Sequence, residues 1–339
     1  MKTQIAVLVG ALVFLAAWPW VGSSYSVDLV NKIMIYALLA LSLELLVGGT
    51  GLVCFGQAAF FGIGAYAAVK FTPASGEPAS LLVTLPISIG LAGLYALIVG
   101  ALSLRTQGVY FIMVTLAFAQ MAYYVVHDTP LGGGTDGIYL YAKPMLGDWL
   151  DLDKPLVMYG FTLFSLVAAF VLLAVLRRGQ FGRALDGIRV NELRMRATGF
   201  STYPYKLAAF TLSGAIAGWA GFLFAVKDGF VNPELMSWHL SGSVLIMVIL
   251  GGMGHLRGAV LGAFAFTLLQ ELFRSEAVFG SFAKHWHLGL GLFIILSVAV
   301  MPKGLAGLPR QIRERLAGKL LGTNRIKAGE APRSQEHSA

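Results

Sequence analysis

Cysteine and charged residues are scarce in this sequence of 339 residues. Cys54 is the single cysteine, so an internal disulfide bond is excluded. Pairs of cysteine and histidine at the spacing of zinc ligands are also missing, and charged residues make up only 12% of the chain. We therefore expect neither a disulfide scaffold nor a metal or other cofactor.

Apolar residues, by contrast, make up 57% of the chain, and its mean hydropathy is +0.74. They form continuous runs of about 20 residues, the length that a helix needs to cross a hydrocarbon core of roughly 30 Å. An outer-membrane barrel would instead show polar and apolar residues alternating over segments of about ten residues. The sequence therefore predicts an all-α fold, a polytopic transmembrane helical bundle.

The apolar runs and the helix-breaking residues between them predict about ten membrane spans. The runs cover residues 4–20, 30–47, 52–70, 81–103, 107–126, 156–176, 206–226, 238–253, 256–273 and 286–301. The glycine-rich segment 48–64 fits either a full crossing or a broken or re-entrant helix. The first run has the apolar core of a signal peptide, but no small-residue cleavage site follows it, so we interpret it as a retained helix.

The charges of the loops predict the orientation, because short cytoplasmic loops accumulate lysine and arginine. The segment 177–206 and the tail after Met301 are basic, whereas the loop 127–155 contains five aspartates and only two lysines. With ten spans, the basic segments and both termini are cytoplasmic and the acidic loop faces outward.

The net charge of +8 is thus explained by the basic cytoplasmic segments, and we expect no nucleic-acid partner. We divide the chain into a transmembrane domain, 1–304, and a polar cytoplasmic tail, 305–339, which we expect to be disordered.

The first candidate for a functional segment is rich in glycine and lies at membrane depth in residues 48–66. Glycines in a membrane helix either allow close packing or break the helix so that its backbone lines a polar path. An amide or carboxylate at this depth needs a partner or water, so it marks either a pathway lining or a structural or interfacial contact. The candidate residues are Glu44, Gly48, Gly49, Gly51, Gly56 and Gln57.

The second candidate is the run LGGGTDGI at residues 131–138, in the predicted outward loop. The hydroxyl of Thr135 and the carboxylate of Asp136, followed by Gly137, fit a turn beside the mouth of a pathway or a direct contact with a small-molecule substrate. No Lys-Ser or Lys-Thr pair follows the glycines at the spacing of a phosphate-binding loop, so that class of site is excluded.

The third candidate is the segment 181–206, in which apolar residues interleave with arginine and glutamate. This pattern, which ends at Gly199 and Pro204, predicts a short amphipathic surface helix. Such a helix fits two functions: it lies on anionic lipid, or it docks a cytosolic partner. Charge alone leaves both open.

Six motifs along the chain resemble the LivM-type permease subunit of branched-chain amino acid ABC importers. Each motif alone is weak, but the match runs along most of the chain, and together the motifs are highly specific. The motifs are LELLVGGTGLVCFGQAAFFGIGAY at 43–66, GGTDGI at 133–138, GRALDGIRVNELRMRATGF at 182–200, YKLAAFTLSGAIAGWAGFLFA at 205–225, LGGMGHLRGAVLGA at 250–263 and MPKGLAGL at 301–308.

This resemblance implies an inner-membrane transport subunit that hydrolyses nothing itself. It implies a second homologous permease subunit, two cytosolic ATP-binding subunits and a periplasmic solute-binding protein as partners. It also implies that Glu192, Arg194, Ala197 and Gly199 belong to a coupling loop, about 181–204, that seats in a groove of the ATP-binding subunit.

Three other functions remain alternatives from the sequence. Relatives of this type also carry urea, short amides or organic acids. An ion-coupled secondary transporter would need an intramembrane charged residue, for which Glu44 is the one serious candidate. A membrane enzyme would need serine, histidine and carboxylates together near one membrane face, whereas the histidines of this chain are scattered.

Overall fold

The structure is a computed structural model that describes residues 2–73, 79–146, 150–301 and 304–307. Over these ranges the chain forms twelve α-helices and four strands of two residues each. The helices are α1 Lys2–Val21, α2 Ser24–Thr50, α3 Gln57–Lys70, α4 Leu81–Ser103, α5 Val109–Asp128, α6 Pro155–Arg178, α7 Gln180–Ala197, α8 Thr202–Asp228, α9 Trp238–Gly251, α10 Leu256–Arg274, α11 Glu276–Phe279 and α12 Trp286–Val300. The strands are β1 Ile138–Tyr139, β2 Met145–Leu146, β3 Leu150–Asp151 and β4 Phe230–Val231.

Each of the ten apolar runs found in the sequence coincides with a helix, so the all-α polytopic prediction is confirmed. Six of the described helices are long and apolar enough to cross a membrane: α2, α4, α5, α6, α8 and α10. The apolar helices α9 and α12 are shorter, as is α3 with 14 residues. Ten crossings with both termini inside therefore stay a prediction.

The core of the bundle is built around α2 and α8, two buried helices of 27 residues. Helix α8 packs against α2, α3 and α4. Glycines bring these helices close, because a Cβ at Gly64 of α3 would overlap the backbone of Gly218 in α8. Small residues at such contacts are the usual means of close packing between membrane helices, which gain little from the hydrophobic effect in lipid.

The chain is not helical between α2 and α3, over residues 51–56. Helix α2 ends at Thr50, and Gly51 follows in the left-handed region with φ = 75°, which costs glycine little. This break lies within the segment 48–64, for which the sequence allowed either a full crossing or a broken helix. We call residues 51–56 the α2–α3 break.

Two short antiparallel strand pairs tie the loops at one end of the bundle. Strand β1 pairs with β4, so the loop after α5 is joined to the loop after α8. Strand β2 pairs with β3 within the loop that leads to α6. These strands are too short to change the fold class.

Helix α7 confirms the amphipathic helix predicted within 181–206. The structure adds a kink that the sequence did not predict, at Asn191, where φ is −162° and ψ is 97°. The polar tail, expected to be disordered, lies mostly outside the described residues, which end at 307.

Candidate functional site

The kink in α7 creates an exposed apex. Asn191 leaves the helical conformation, and its Oδ1 accepts a hydrogen bond from the backbone N–H of Arg194 at 2.9 Å. It thus caps a second helical piece. Two apolar side chains flank the kink, Val190 with 82% and Leu193 with 77% of their surface exposed. We call Val190, Leu193 and Arg194 the α7 apex.

Glu192 lies beside the apex but faces the bundle. Its Oε1 accepts hydrogen bonds from Lys206 Nζ at 2.8 Å, Thr202 Oγ1 at 2.9 Å and Arg196 Nη2 at 2.6 Å. Lys206 is 3% exposed, so its ammonium group depends on this carboxylate for a partner. Partial burial opposes ionisation of Glu192, but the hydrogen bonds from Lys206, Thr202 and Arg196 outweigh it and lower the pKa of the carboxyl.

The other three predicted coupling residues are exposed on the same end of α7. Arg194 and Ala197 lie on the second helical piece, and Gly199 follows it with φ = 80°. No heavy atom lies within 4 Å of a Cβ built at Gly199, so its backbone conformation, and not crowding, favours glycine there. Of the four residues predicted from the sequence, Arg194, Ala197 and Gly199 are thus exposed together, whereas Glu192 faces the bundle and ties α7 to α8.

Glu44 is fully buried near the end of α2, in contact with the turn between α9 and α10. Its Oε1 accepts a hydrogen bond from the backbone N–H of Gly254 at 2.7 Å. Arg177, at the end of α6, lies 3.7 Å from the same oxygen and donates to the Gly254 carbonyl at 3.1 Å. The carboxylate therefore has a cationic partner, as a buried charge requires.

The carbonyl oxygen of Gly48 is held by two arginines. It accepts from Arg189 Nη1 of α7 at 2.6 Å and from Arg177 Nη2 of α6 at 3.3 Å. A Cβ at Gly48 would overlap the Glu44 carboxylate and lie 3.0 Å from the Gly254 nitrogen, so a larger residue would displace Glu44 from its hydrogen bond to Gly254. Sequence reasoning selected Glu44 and Gly48 but missed Arg177, Arg189 and Gly254.

Gln57 is fully buried at the start of α3 and joins three helices. Its Nε2 donates to Ser42 Oγ of α2 at 2.5 Å and to Ser213 Oγ of α8 at 3.2 Å. Ser213 Oγ in turn donates to the Ser42 carbonyl at 2.6 Å. The amide nitrogen thus finds protein partners, whereas the buried Oε1 accepts no hydrogen bond from the described residues.

The remaining pathway candidates lie in the last turn of α2, in the α2–α3 break and in the loop after α5. A Cβ at Gly49 would lie 3.6 Å from the Leu185 side chain of α7, and a Cβ at Gly56 would lie 3.3 Å from the Thr115 carbonyl oxygen of α5. Thr135 and Asp136 are exposed, and the Thr135 hydroxyl donates to Asp136 Oδ1 at 3.3 Å. Gly137 has φ = 70°, and a Cβ there would overlap the Val231 carbonyl oxygen, so this glycine permits the β1–β4 pairing.

Among the described residues there is no group of three or more histidine, cysteine, aspartate or glutamate side chains that could hold a metal ion. The polar clusters described above join the Glu192 carboxylate to Lys206, the Glu44 carboxylate and the Gly48 carbonyl to arginines, and the Gln57 amide to two serines. Their chemistry is that of positioning helices.

Comparison with known proteins places the chain in a family. The family described as branched-chain amino acid transport system / permease component matches residues 25–299. The high-affinity branched-chain amino acid transport system permease protein LivM of Escherichia coli K12 is 32% identical over 326 residues, which cover 89% of this chain and 75% of that protein.

Two further relatives mark the range of the similarity. LivM of Salmonella typhimurium is 31% identical and covers 93% of this chain and 78% of its own length. The autoinducer 2 import system permease protein LsrC of Klebsiella pneumoniae is 31% identical, but over only 44% of this chain and 49% of its own. No solved structure matches the chain.

Proposed function

Because this chain belongs to the family of permease components of the branched-chain amino acid transport system, we propose that it forms part of the transport pathway of an ABC importer for leucine, isoleucine, valine or a similar small polar solute. The chain is a transport subunit and not an enzyme. ATP is hydrolysed by separate cytosolic subunits, and a periplasmic binding protein delivers the solute.

The α7 apex is the observation that carries this proposal. Two large apolar side chains, Val190 and Leu193, stand almost fully exposed on a helix that is otherwise polar on its outer side. Exposed apolar residues beside charged ones favour a protein partner. Lipid would be contacted by the apolar face of a straight amphipathic helix, whereas here the Asn191 kink concentrates the apolar residues at a point.

The placement in the bilayer follows from the charges and the long helices. Helix α6 has 24 residues, about 36 Å at 1.5 Å per residue, which is enough to carry the chain from the acidic loop before it to the basic α7 after it. With α7 cytoplasmic, the loop that contains Thr135 and Asp136 faces the periplasm, where the binding protein acts. Ten crossings of the inner membrane fit this orientation.

The transport pathway forms between this chain and a second, homologous permease subunit. Helix α5 supports this arrangement, because only Phe111, Thr115 and Ala119 are fully buried along it, and large apolar side chains such as Met113 and Met121 are exposed for contact with lipid or a second subunit. A rigid α7, tied to α8 by Glu192, then transmits closure of the ATP-binding subunits to the spans as rigid-body motion.

The docking role of α7 is tested by Val190→Asp combined with Leu193→Asp. Purified together with its partner subunits, this variant should still insert in the membrane but should no longer retain the ATP-binding subunits. The matched control is Thr135→Asp combined with Tyr141→Asp, two exposed positions, which adds the same two negative charges to the loop at the other end of α6 and should retain them. Normal retention by the α7 variant would remove the docking role from this helix.

A further inference from the structure

The last turn of α2 leaves a backbone carbonyl without its usual partner. In a continued helix the N–H of Leu52 would bond to the Gly48 carbonyl, but Leu52 N–H donates to Thr50 Oγ1 at 3.4 Å instead. Two guanidinium groups take its place at the Gly48 oxygen. Cations are favoured at this end of a helix, where the helix dipole is negative.

The two arginines come from different parts of the molecule. Arg177 closes α6 and is fixed by several contacts, because it also bonds to the Gly254 carbonyl and lies 3.7 Å from both Glu44 and Asp186. Arg189 belongs to α7, and its bond to Gly48 at 2.6 Å is the shorter of the two. Arg177 is thus held in place by the bundle, and we call Arg177 and Glu44 the fixed frame. Arg189, the other donor, belongs to the surface helix α7.

Arg189 connects the α7 apex to the α2–α3 break. It directly precedes Val190 and lies two residues before the kink at Asn191. Its partner Gly48 lies three residues before Gly51, where the break begins. Arg189 is exposed, but its guanidinium also lies against the turn between α9 and α10, since a Cβ at Gly254 would be 3.2 Å from its Nη1. A displaced apex would therefore pull on the end of α2.

We propose that Arg189 is the positioning residue that transmits movement of α7 to the α2–α3 break, through its hydrogen bond to the Gly48 carbonyl. The proposal rests on the function proposed above, in which α7 receives the ATP-binding subunit. It assigns Arg177 and Glu44 to the frame against which Gly48 moves.

The test uses Arg189→Gln in the complete complex, with both permease subunits, the ATP-binding subunits and the binding protein in proteoliposomes. Solute uptake and ATP hydrolysis are measured on the same vesicles. Uptake per ATP should fall about tenfold, within the range of ordinary coupling free energies, while hydrolysis and subunit composition stay unchanged. Arg189→Lys, which keeps one charged donor, should recover part of the loss.

Arg183→Gln is the matched control. Arg183 lies on the same helix and is exposed, and no side-chain hydrogen bond or ion pair joins it to another described residue. Its uptake per ATP should equal that of the wild type. A wild-type complex whose uptake needs no ATP would overturn the proposed function itself, which is a different result from an unaffected Arg189 variant.

A second readout uses Cys54, the single cysteine of the chain, which is buried within the α2–α3 break. Its modification by a small maleimide is followed by mass spectrometry of its peptide, with and without ATP and vanadate. Nucleotide trapping should change the rate of modification in the wild type and in Arg183→Gln, but not in Arg189→Gln. The proposal is overturned if Arg189→Gln keeps this response, keeps normal uptake per ATP, or loses its ATP-binding subunits.

Discussion

Glu192 shows how a single side chain can fix a surface helix while facing the bundle itself. Its carboxylate is bonded to Lys206, Thr202 and Arg196, so it holds the base of the α7 apex on α8. The sequence selected Glu192 from a motif position, but a motif does not tell which way a side chain faces. The side chains that face outward near the kink are instead Val190 and Leu193.

Glu192→Gln should destabilise the protein by about 2 kcal/mol or more, because it leaves the buried Lys206 ammonium without a carboxylate. Adding Lys206→Met should restore most of this loss, since methionine carries no buried charge that needs a carboxylate partner. Thermal unfolding in detergent, analysed as a double-mutant cycle, measures both effects. Equal stability of the single and double variants would show that Lys206 does not depend on Glu192.

The contribution of Glu192 should also depend on pH. The pKa of its carboxyl is lowered in the folded protein. A lowered pKa gives a stability that is fully present above the carboxyl pKa of the unfolded chain and is lost as the pH falls through the folded value. The difference in stability between wild type and Glu192→Gln should therefore be constant near neutral pH and shrink only in acid. A difference that already shrinks between pH 8 and pH 6 would contradict this assignment.

Gln57 joins α2, α3 and α8 through the hydroxyls of Ser42 and Ser213. Hydrogen bonds between membrane helices contribute about 0.6 kcal/mol on average and up to about 1.7 kcal/mol. A double-mutant cycle of Gln57→Leu and Ser213→Ala should give a coupling energy in this range, measured by unfolding in mixed micelles. A coupling energy near zero would mean that the amide acts elsewhere, for example on the solute.

Close contact between α3 and α8 depends on glycine. Gly64→Ala should destabilise the bundle by about 1–3 kcal/mol, because the new methyl group overlaps the Gly218 backbone. Gly90→Ala on α4 is the matched control, since no heavy atom lies within 4 Å of its Cβ position. The two variants are compared by their unfolding temperatures. Similar behaviour of both would show that α3 and α8 are further apart than described.

The helices were predictable from the sequence because the length of an apolar run decides whether a segment is helical in a membrane. All ten runs became helices, and α7 was predicted from its amphipathic pattern. The kink at Asn191 was not predicted, although its cap on Arg194 is local. The bounds of the break at 51–56 could not be located, because a contact with a distant segment helps to fix them. Phe55 N–H, for instance, donates to Thr115 Oγ1 in α5.

The hydrogen-bond partners of the candidate residues could likewise not be predicted from the sequence. Glu44 bonds to Gly254, which is 210 residues further along the chain. Glycine at that position, with φ = 93°, signals a turn and gives no hint of a carboxylate partner. Arg177 and Arg189 belong to the basic segment 177–206, but charge patterns do not show which arginine turns back into the bundle.

The orientation of the chain follows if α6 crosses the bilayer once. In a chain with Cys54→Ala, Thr135→Cys and Arg194→Cys place single thiols in the loop before α6 and on α7 after it, both at exposed positions. A membrane-impermeant maleimide added to intact cells should label Thr135→Cys and leave Arg194→Cys unlabelled. Inverted vesicles should give the reverse result. Labelling of both thiols from one side would contradict the predicted topology.

Uptake by reconstituted vesicles tests the proposed transport function most directly. Vesicles that contain this chain with the second permease and the ATP-binding subunits are offered labelled leucine, isoleucine, valine or urea, with and without ATP and binding protein. We expect uptake of one or more branched-chain amino acids that requires both ATP and the binding protein. Uptake by this chain alone, driven by an ion gradient and abolished by Glu44→Gln, would contradict the ABC permease function and assign the chain to the secondary transporters.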